Sequence, residues 1–158
     1  MFAEFLASVA MASQMAVYAP PRPPERLGTL DIPAIHLSIP VRQGVSHRVL
    51  EDAVGHYPGT YLPGMGGRIV LPAHDVTPVR GMWHGPFYYI NRLRKGDRAT
   101  FHMPYGTYRY EVVRKKVLYY TMTGYLVPRL GREQLVLATC WPRHSRSHRY
   151  LVFLRRDS

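Results

Sequence analysis

The chain has 158 residues, enough for one domain and too few for two of ordinary size. With 46% apolar and 20% charged residues it has globular composition, which excludes wholesale disorder; its single cysteine, Cys140, excludes an intrachain disulfide and any Cys₄ or Cys₂His₂ zinc site. Twenty-one basic against ten acidic residues leave a net charge of +11, which suits polyanionic surroundings (nucleic acid, anionic lipid, phosphate-bearing polymers) without choosing among them.

Residues 1–19 stand apart. Their longest apolar stretch, Phe5 to Ala12, covers eight residues including Ser8, far short of the roughly 20 needed to cross a bilayer. Glu4 is the only early charge, so no basic flank marks a secretory signal. Phe2, Phe5, Leu6, Val9 and Ala16 fall at helical spacing, and two readings stand: a start downstream of a membrane anchor, or a short docking helix. Residues 19–24 read APPRPP, and four prolines in six residues neither continue a helix nor enter a sheet centre. Residues 1–25 are therefore read as N-terminal helix and Pro-rich linker, and 26–158 as the folded domain.

From Leu27 onward short strands dominate. LGTLDIPA and IHLSIPVRQG are apolar-rich runs broken by Pro33; RVLEDAVGHYPGT predicts a short helix near 47–54 and a turn at Pro58-Gly59. GMGG (64–67) is a turn before the buried-looking strand RIVLPAH (68–74). HGPFYYINRL predicts a second short helix near 87–93, closed by the turn KGD (95–97). RATFHMP, YGTYRYEVVRKK and VLYYTMTG read as three strands, with turns at Pro104-Tyr105-Gly106 and near Gly124. QLVLATC (134–140) and RYLVFLRR (149–156) are the last two. Many short strands with Gly/Pro punctuation, and no long amphipathic helix between them, predict an all-β, closed or nearly closed barrel with small helices rather than a parallel α/β sheet.

Cys140 sits at the end of its strand, because Pro142 stops the ladder. A lone thiol is either a small buried hydrophobe, the usual case, or a nucleophile, and a strand end at a barrel rim weakens the first reading. The segment 141–147 makes a hairpin loop, so Arg149, nine residues after Cys140, faces it across the loop's mouth. A guanidinium beside a thiolate holds negative charge on sulfur or on a carbonyl oxygen under attack. Of the eight histidines (36, 47, 56, 74, 84, 102, 144 and 148), His74 ranks first as acid/base partner: it closes RIVLPAH and precedes Asp75. His144 and His148 lie in or beside the loop after Cys140 and are the other candidates.

These residues resemble the sortases, the cysteine transpeptidases of the Gram-positive cell surface. The family's T-L-x-T-C strand appears as LVLATC, with Leu137, Thr139 and Cys140 in place and Val136 where threonine is usual. The family histidine, closing a strand in G-H or A-H, matches His74 after Ala73; the family arginine of T/S-H-R-L-x-V matches Arg149 in SHRYLVF. LGTLDIPAIHLSIPV is similar to the opening strand pair, GVSHRVLEDAVGHYPGTYLPGMGG to the next loop and helix with its G-H-x-P-G-T signature, and PFYYINRLRKGD to the helix and turn after the histidine. The likeness spans about residues 26–156, and T-C-x-P with S-H-R is closest in style to classes C, D and E, class E favoured.

The resemblance implies an eight-stranded barrel with one to three short helices. It implies that Cys140 attacks the Thr–Gly carbonyl of an LPXTG- or LAXTG-like sorting signal, His74 moves the protons and Arg149 binds the backbone and oxyanion, with Thr139 and Ala138 beside the substrate. The implied partners are a surface-protein sorting signal and an amine of peptidoglycan or pilin, at the outer face of the membrane or in the wall, with membrane association through an N-terminal anchor. No acidic cluster suggests the calcium site of some relatives, so no cofactor or metal is expected. An L,D-transpeptidase is disfavoured because its S-H-G-C signature is missing. A papain-like protease is disfavoured because no histidine follows Cys140 by more than eight residues. The remaining alternatives are a basic barrel binding single-stranded nucleic acid and a sortase fold without activity.

Overall fold

Strand pairing, rather than helix packing, organises the molecule. The structure, a computed structural model, describes residues 21–77 and 84–157; the expected N-terminal helix lies outside them. Among the described residues the strands are β1 (Arg26–Ile32), β2 (Leu37–Gln43), β3 (Val54–His56), β4 (Arg68–Pro72), β5 (Arg98–Met103), β6 (Gly106–Tyr119), β7 (Gln134–Trp141) and β8 (His148–Arg156). They form one sheet in the order β3-β2-β1-β5-β6-β8-β7-β4. The expected eight-stranded, nearly closed barrel is found. It is not wholly antiparallel: β2 with β3 and β4 with β7 run parallel.

The G-H-x-P-G-T segment closes the barrel between β3 and β4. The Tyr57 amide donates to the Val70 carbonyl at 2.9 Å, and the Thr60 hydroxyl accepts from the Val70 amide at 3.3 Å. His56 is buried, its Nδ1 2.6 Å from Gln43 and its Nε2 2.8 Å from the Tyr61 carbonyl. Burial lowers its pKa although the Tyr61 carbonyl raises it, so the ring serves here as a neutral clamp.

Three expectations need correction. The helix near 47–54 shrinks to α1 (His47–Leu50), capped by Ser46, because Val54–His56 is drawn off to pair with Val41–Gln43. The helix near 87–93 is a turn followed by a 3-10 helix at Ile90–Arg92. Its buried apolar residues, Phe87, Ile90 and Leu93, recur every third position, the 3-10 period, and its backbone bonds run from each residue to the one three before. The two strands expected over 105–124 are one, β6. A bulge between Val112 and Arg114 inserts an unpaired residue, so an alternation broken in the sequence is continuous in the ladder.

The core fills the barrel with Leu30, Ile32, Ile69, Leu71, Phe101, Tyr110, Leu135, Leu137, Val152 and Leu154. A second cluster, Val70, Val136, Ala138, Leu151 and Phe153, lies on the opposite face of β4, β7 and β8. At the far end of the core, buried Glu133 accepts from the Gly64 and Gly66 amides at 3.1 Å, from the Tyr110 hydroxyl at 2.6 Å and from Arg156 at 3.3 Å. Replacing Glu133 by Ala strands two amides and a phenol, and should lower unfolding stability by at least about 2 kcal/mol, against about 1 kcal/mol for Tyr110→Phe. Urea midpoints of the two variants check this; a Glu133→Ala midpoint equal to the parent's contradicts it.

Candidate active site

The alternation of β7 decides which face carries the thiol. Leu135, Leu137 and Thr139 point into the barrel, while Val136, Ala138 and Cys140 share the outer face. On β8, Leu151 and Phe153 belong to that outer cluster, and Arg149 is in phase with them. The antiparallel register sets Cys140 opposite Arg149, as the hairpin spacing predicts. On the other side β4 runs parallel to β7, ending with Pro72 opposite Ala138. The Ala73 amide donates to the Ala138 carbonyl at 3.1 Å, and two residues beyond Pro72 the chain reaches His74, level with Cys140. His74 thus follows the strand rather than closing it.

Local contacts fix this histidine's backbone. The Thr139 hydroxyl, buried, donates to the Ala73 carbonyl at 2.7 Å. The Phe87 amide donates to the His74 carbonyl at 3.0 Å and the Gly85 amide to the Asp75 carbonyl at 2.8 Å. Position 85 has no room for a side chain: a Cβ there would overlap the His74 carbonyl. Gly85 is therefore a positioning residue that no motif marks.

The site's charges work against one another. Burial pushes the Cys140 thiol up, Arg149 pulls it down, Asp75 pushes it up and Arg146 pulls it down, with a net rise. Burial lowers the His74 pKa, His47 and Arg146 lower it further and Asp75 opposes them, with a net fall. Asp75 and Arg146 act on both groups, so thiol and imidazole share one electrostatic neighbourhood. Both shifts favour the neutral thiol–imidazole pair. Asp75 is itself buried, and its Oδ2 has no hydrogen-bond partner.

Arg149 is anchored from behind, its Nη1 donating to the carbonyls of Arg146 at 3.1 Å and His148 at 3.0 Å. Its guanidinium also bonds the Tyr125 phenol. His148, opposite Trp141, bonds the Ser147 hydroxyl at 2.8 Å and packs on Tyr119, out of phase with Cys140. His144 is exposed on the loop with φ 65°.

One neighbour is unmarked in the sequence. The 3-10 turn Gly124–Leu126 lies over the outer cluster, held by Arg68, whose Nη1 donates to the carbonyls of Gly124 at 3.2 Å and Tyr125 at 3.4 Å. Burial pushes the Tyr125 phenol up and the adjoining Arg149 guanidinium pulls it down, while Cys140 also acts on it. The outer face thus has an apolar floor that includes Ala138, aromatic cover from Tyr57 and Tyr125, and the pair Cys140 and Arg149 at one end, with the loop that carries His74 beside it. Among the described residues no cluster of three or more His, Cys, Asp or Glu is placed to hold a metal, and no helix is long and apolar enough to cross a membrane.

A model of the sortase domain family matches residues 30–157. Sortase D of Bacillus subtilis (strain 168) is 34% identical over 115 residues, 73% of this chain and 54% of the relative, so the chain matches about half the length of that protein. Sortase C1 from Streptococcus suis superposes with a TM-score of 0.77 at 33% identity, covering 85% of this chain and 74% of that one. A lid mutant of sortase A from Corynebacterium diphtheriae gives 0.75 at 28% identity, covering 85% and 72%. The likeness therefore runs across classes A, C and D.

If the Arg149 charge acts on sulfur as its effect on Cys140 implies, Arg149→Gln should move the midpoint of the iodoacetamide rate–pH profile upward from an already raised value. Alkylation at a fixed neutral pH should slow accordingly; an unchanged midpoint would show that the guanidinium does not serve the thiol.

Proposed function

We propose that this chain, which belongs to the sortase family, is a cysteine transpeptidase that breaks the Thr–Gly bond of an LPXTG- or LAXTG-like sorting signal and passes the acyl group to an amine. The observation that carries the proposal is the register that sets Cys140 opposite Arg149, with the chain after β4 delivering His74 to the same level. Membership of the family also disfavours a nucleic-acid-binding barrel.

The chemistry divides into two acyl transfers. The Cys140 thiolate attacks the threonine carbonyl carbon. The tetrahedral intermediate collapses as the C–N bond breaks, and protonated His74 gives its proton to the departing glycine amine. The thioester is then attacked by an amine of peptidoglycan or pilin, whose proton returns to His74 as the thiolate leaves. Arg149 supplies the fork: with Nη1 tied to two carbonyls, its other donors exchange the Tyr125 phenol for a substrate carbonyl and the oxyanion. Ala138 forms floor beneath the substrate. Thr139 acts through the Ala73 carbonyl it holds, keeping the approach to His74 in place.

The reactive microstate is thiolate with imidazolium, although the raised thiol and lowered imidazole favour the neutral pair. Its population is a minor fraction, largest between the two pKa values. Turnover should follow a bell whose acid limb lies below the 6.5 usual for imidazole and whose alkaline limb lies above the 9.0 usual for a thiol. Such an enzyme works at the outer face of the cell membrane or in the wall, on secreted surface proteins.

Mass spectrometry of the chain mixed with a small library of pentapeptide signals tests the assignment: an acyl adduct on Cys140 is expected, and none with Cys140→Ala. His74→Ala should lower turnover by about 10²–10⁴-fold, and Arg149→Lys by about 10²–10³-fold because a point charge does not reproduce the fork. Near-parent turnover in His74→Ala would move the acid/base role to His144 or His148. A folded chain that forms no adduct with any signal would favour the inactive-fold reading.

A further inference from the structure

Among the described residues two buried side-chain polar atoms have no hydrogen-bond partner: Asp75 Oδ2 and Arg143 Nε. Protein interiors leave few such atoms, and each needs a physical reason. One lacks a donor and the other an acceptor. Asp75 follows His74, and Arg143 lies in the loop between β7 and β8. Both line one cavity of about 170 Å³, no part of it wide enough for a water molecule. Asp75 is the only acidic residue in that lining and Arg143 the only basic one; the rest is largely apolar and aromatic.

One segment spaces the pair. The Gly85 and Phe87 amides hold the carbonyls of Asp75 and His74. Arg143 Nη2 donates to the Tyr88 carbonyl and to Asn91 Oδ1, both at 3.0 Å, and its guanidinium lies 4.2 Å from the centre of the Tyr88 ring. Residues 85–91 thus fix both the backbone that carries the carboxylate and the guanidinium itself. Opposite charges attract strongly across a dry apolar gap, because no water screens them. The two other arginines of the rim do not line the cavity. Arg149 is tied to two carbonyls and the Tyr125 phenol, and Arg146 is exposed, where solvent and salt screen it.

We infer that Arg143 is a positioning residue: its guanidinium is the counter-charge of Asp75 across this cavity and sets how strongly that carboxylate acts on His74 and Cys140. The inference rests on the reading of those two as the reacting groups. Arg149, Asp75 and Arg146 act on the thiol, with the Tyr125 phenol beside it, and His47, Asp75 and Arg146 act on the imidazole; Arg143 is in neither set. What Arg143 does at the rim therefore passes through Asp75. With the counter-charge in place, the carboxylate's hold on the imidazole proton and its opposition to the thiolate are both moderated.

The iodoacetamide rate–pH profile of Cys140, measured on the full chain, tests this without a sorting signal. Thiols titrate at a pH where carboxylates carry their charge. Arg143→Gln, which leaves the Asp75 charge without its counterpart, should therefore move the midpoint up and slow alkylation at a fixed pH below it by about twofold or more. Asp75→Asn should move the midpoint down, and adding Arg143→Gln to Asp75→Asn should move it no further. Asn91→Ala, which removes a hydrogen bond to the guanidinium but no charge, should leave it at the parent's value. An unmoved midpoint in Arg143→Gln, or an equal shift with and without the Asp75 carboxylate, would overturn the inference. So would a shift in Asn91→Ala as large as in Arg143→Gln, which makes Arg143 a loop anchor alone. If Arg143→Gln by itself does not fold, recovery of folding in the double variant supports the pair, and persistent unfolding there overturns it. The expected shifts in a chain that forms no acyl adduct would sink the transpeptidase reading and leave the pair; an adduct with unmoved profiles would do the reverse.

Discussion

The site depends on one strand having two kinds of neighbour. β7 pairs parallel with β4 and antiparallel with β8. Parallel pairing brings the exit of β4 beside the exit of β7, and antiparallel pairing brings the entry of β8 to the same level. Three chain segments far apart in sequence therefore meet at one rim, and the two-residue pleat turns Cys140 and Arg149 to one face. An all-antiparallel barrel of the same strands would carry His74 to the far end of the molecule. The parallel pair is stabilised where it ends: the Ala73 amide and carbonyl bond the Ala138 carbonyl and the Thr139 hydroxyl.

The same rim sets the electrostatic character of the thiol. Partial burial, which positions the sulfur over an apolar floor, disfavours its charge, and the arginine across the ladder restores part of what burial takes away. Asp75, buried with an unpartnered oxygen, opposes that arginine at sulfur while supporting a proton on His74. One carboxylate thus acts alike on both groups: it helps the imidazole to hold a proton and hinders the thiol from losing one. A thiol in this setting stays protonated and is slow toward oxidants and electrophiles.

Much of this was legible in the sequence because it is local. The nine-residue spacing from Cys140 to Arg149 is a hairpin, and a hairpin's register follows from its loop length. The proline-punctuated strand ends were legible for the same reason, whereas the count of eight agrees only because splitting β6 in two offsets the missed β3. What escaped depends on contacts between distant segments. Val54–His56 is a strand only because β2 lies beside it. The run Phe87, Ile90, Leu93 suits a helix or a 3-10 turn until the amides of Gly85 and Phe87 are tied to Asp75 and His74. Gly85 looks like any loop glycine, and Tyr125 like any of twelve tyrosines, until the fold brings each to the site. Thr139 carries a family motif, yet what its hydroxyl touches, a backbone carbonyl on a neighbouring strand, has no trace in the motif itself.

The bulge at Val113 changes how β6 tolerates insertion and deletion. Before it, Tyr110 and Val112 face the core; after it, Arg114, Lys116 and Leu118 stand opposite Phe153, Leu151 and Arg149 on the outer face. The extra residue shifts the parity of the sequence against the ladder: even-numbered positions face the core before it and the outer face after it. Deleting Val113 would set Val112 and Arg114 against the consecutive residues Leu154 and Phe153 with both faces kept, whereas straightening the strand with Val113 retained would turn Arg114 and Lys116 toward the packed interior. In a comparison of homologues, a single-residue gap in this strand therefore belongs at position 113.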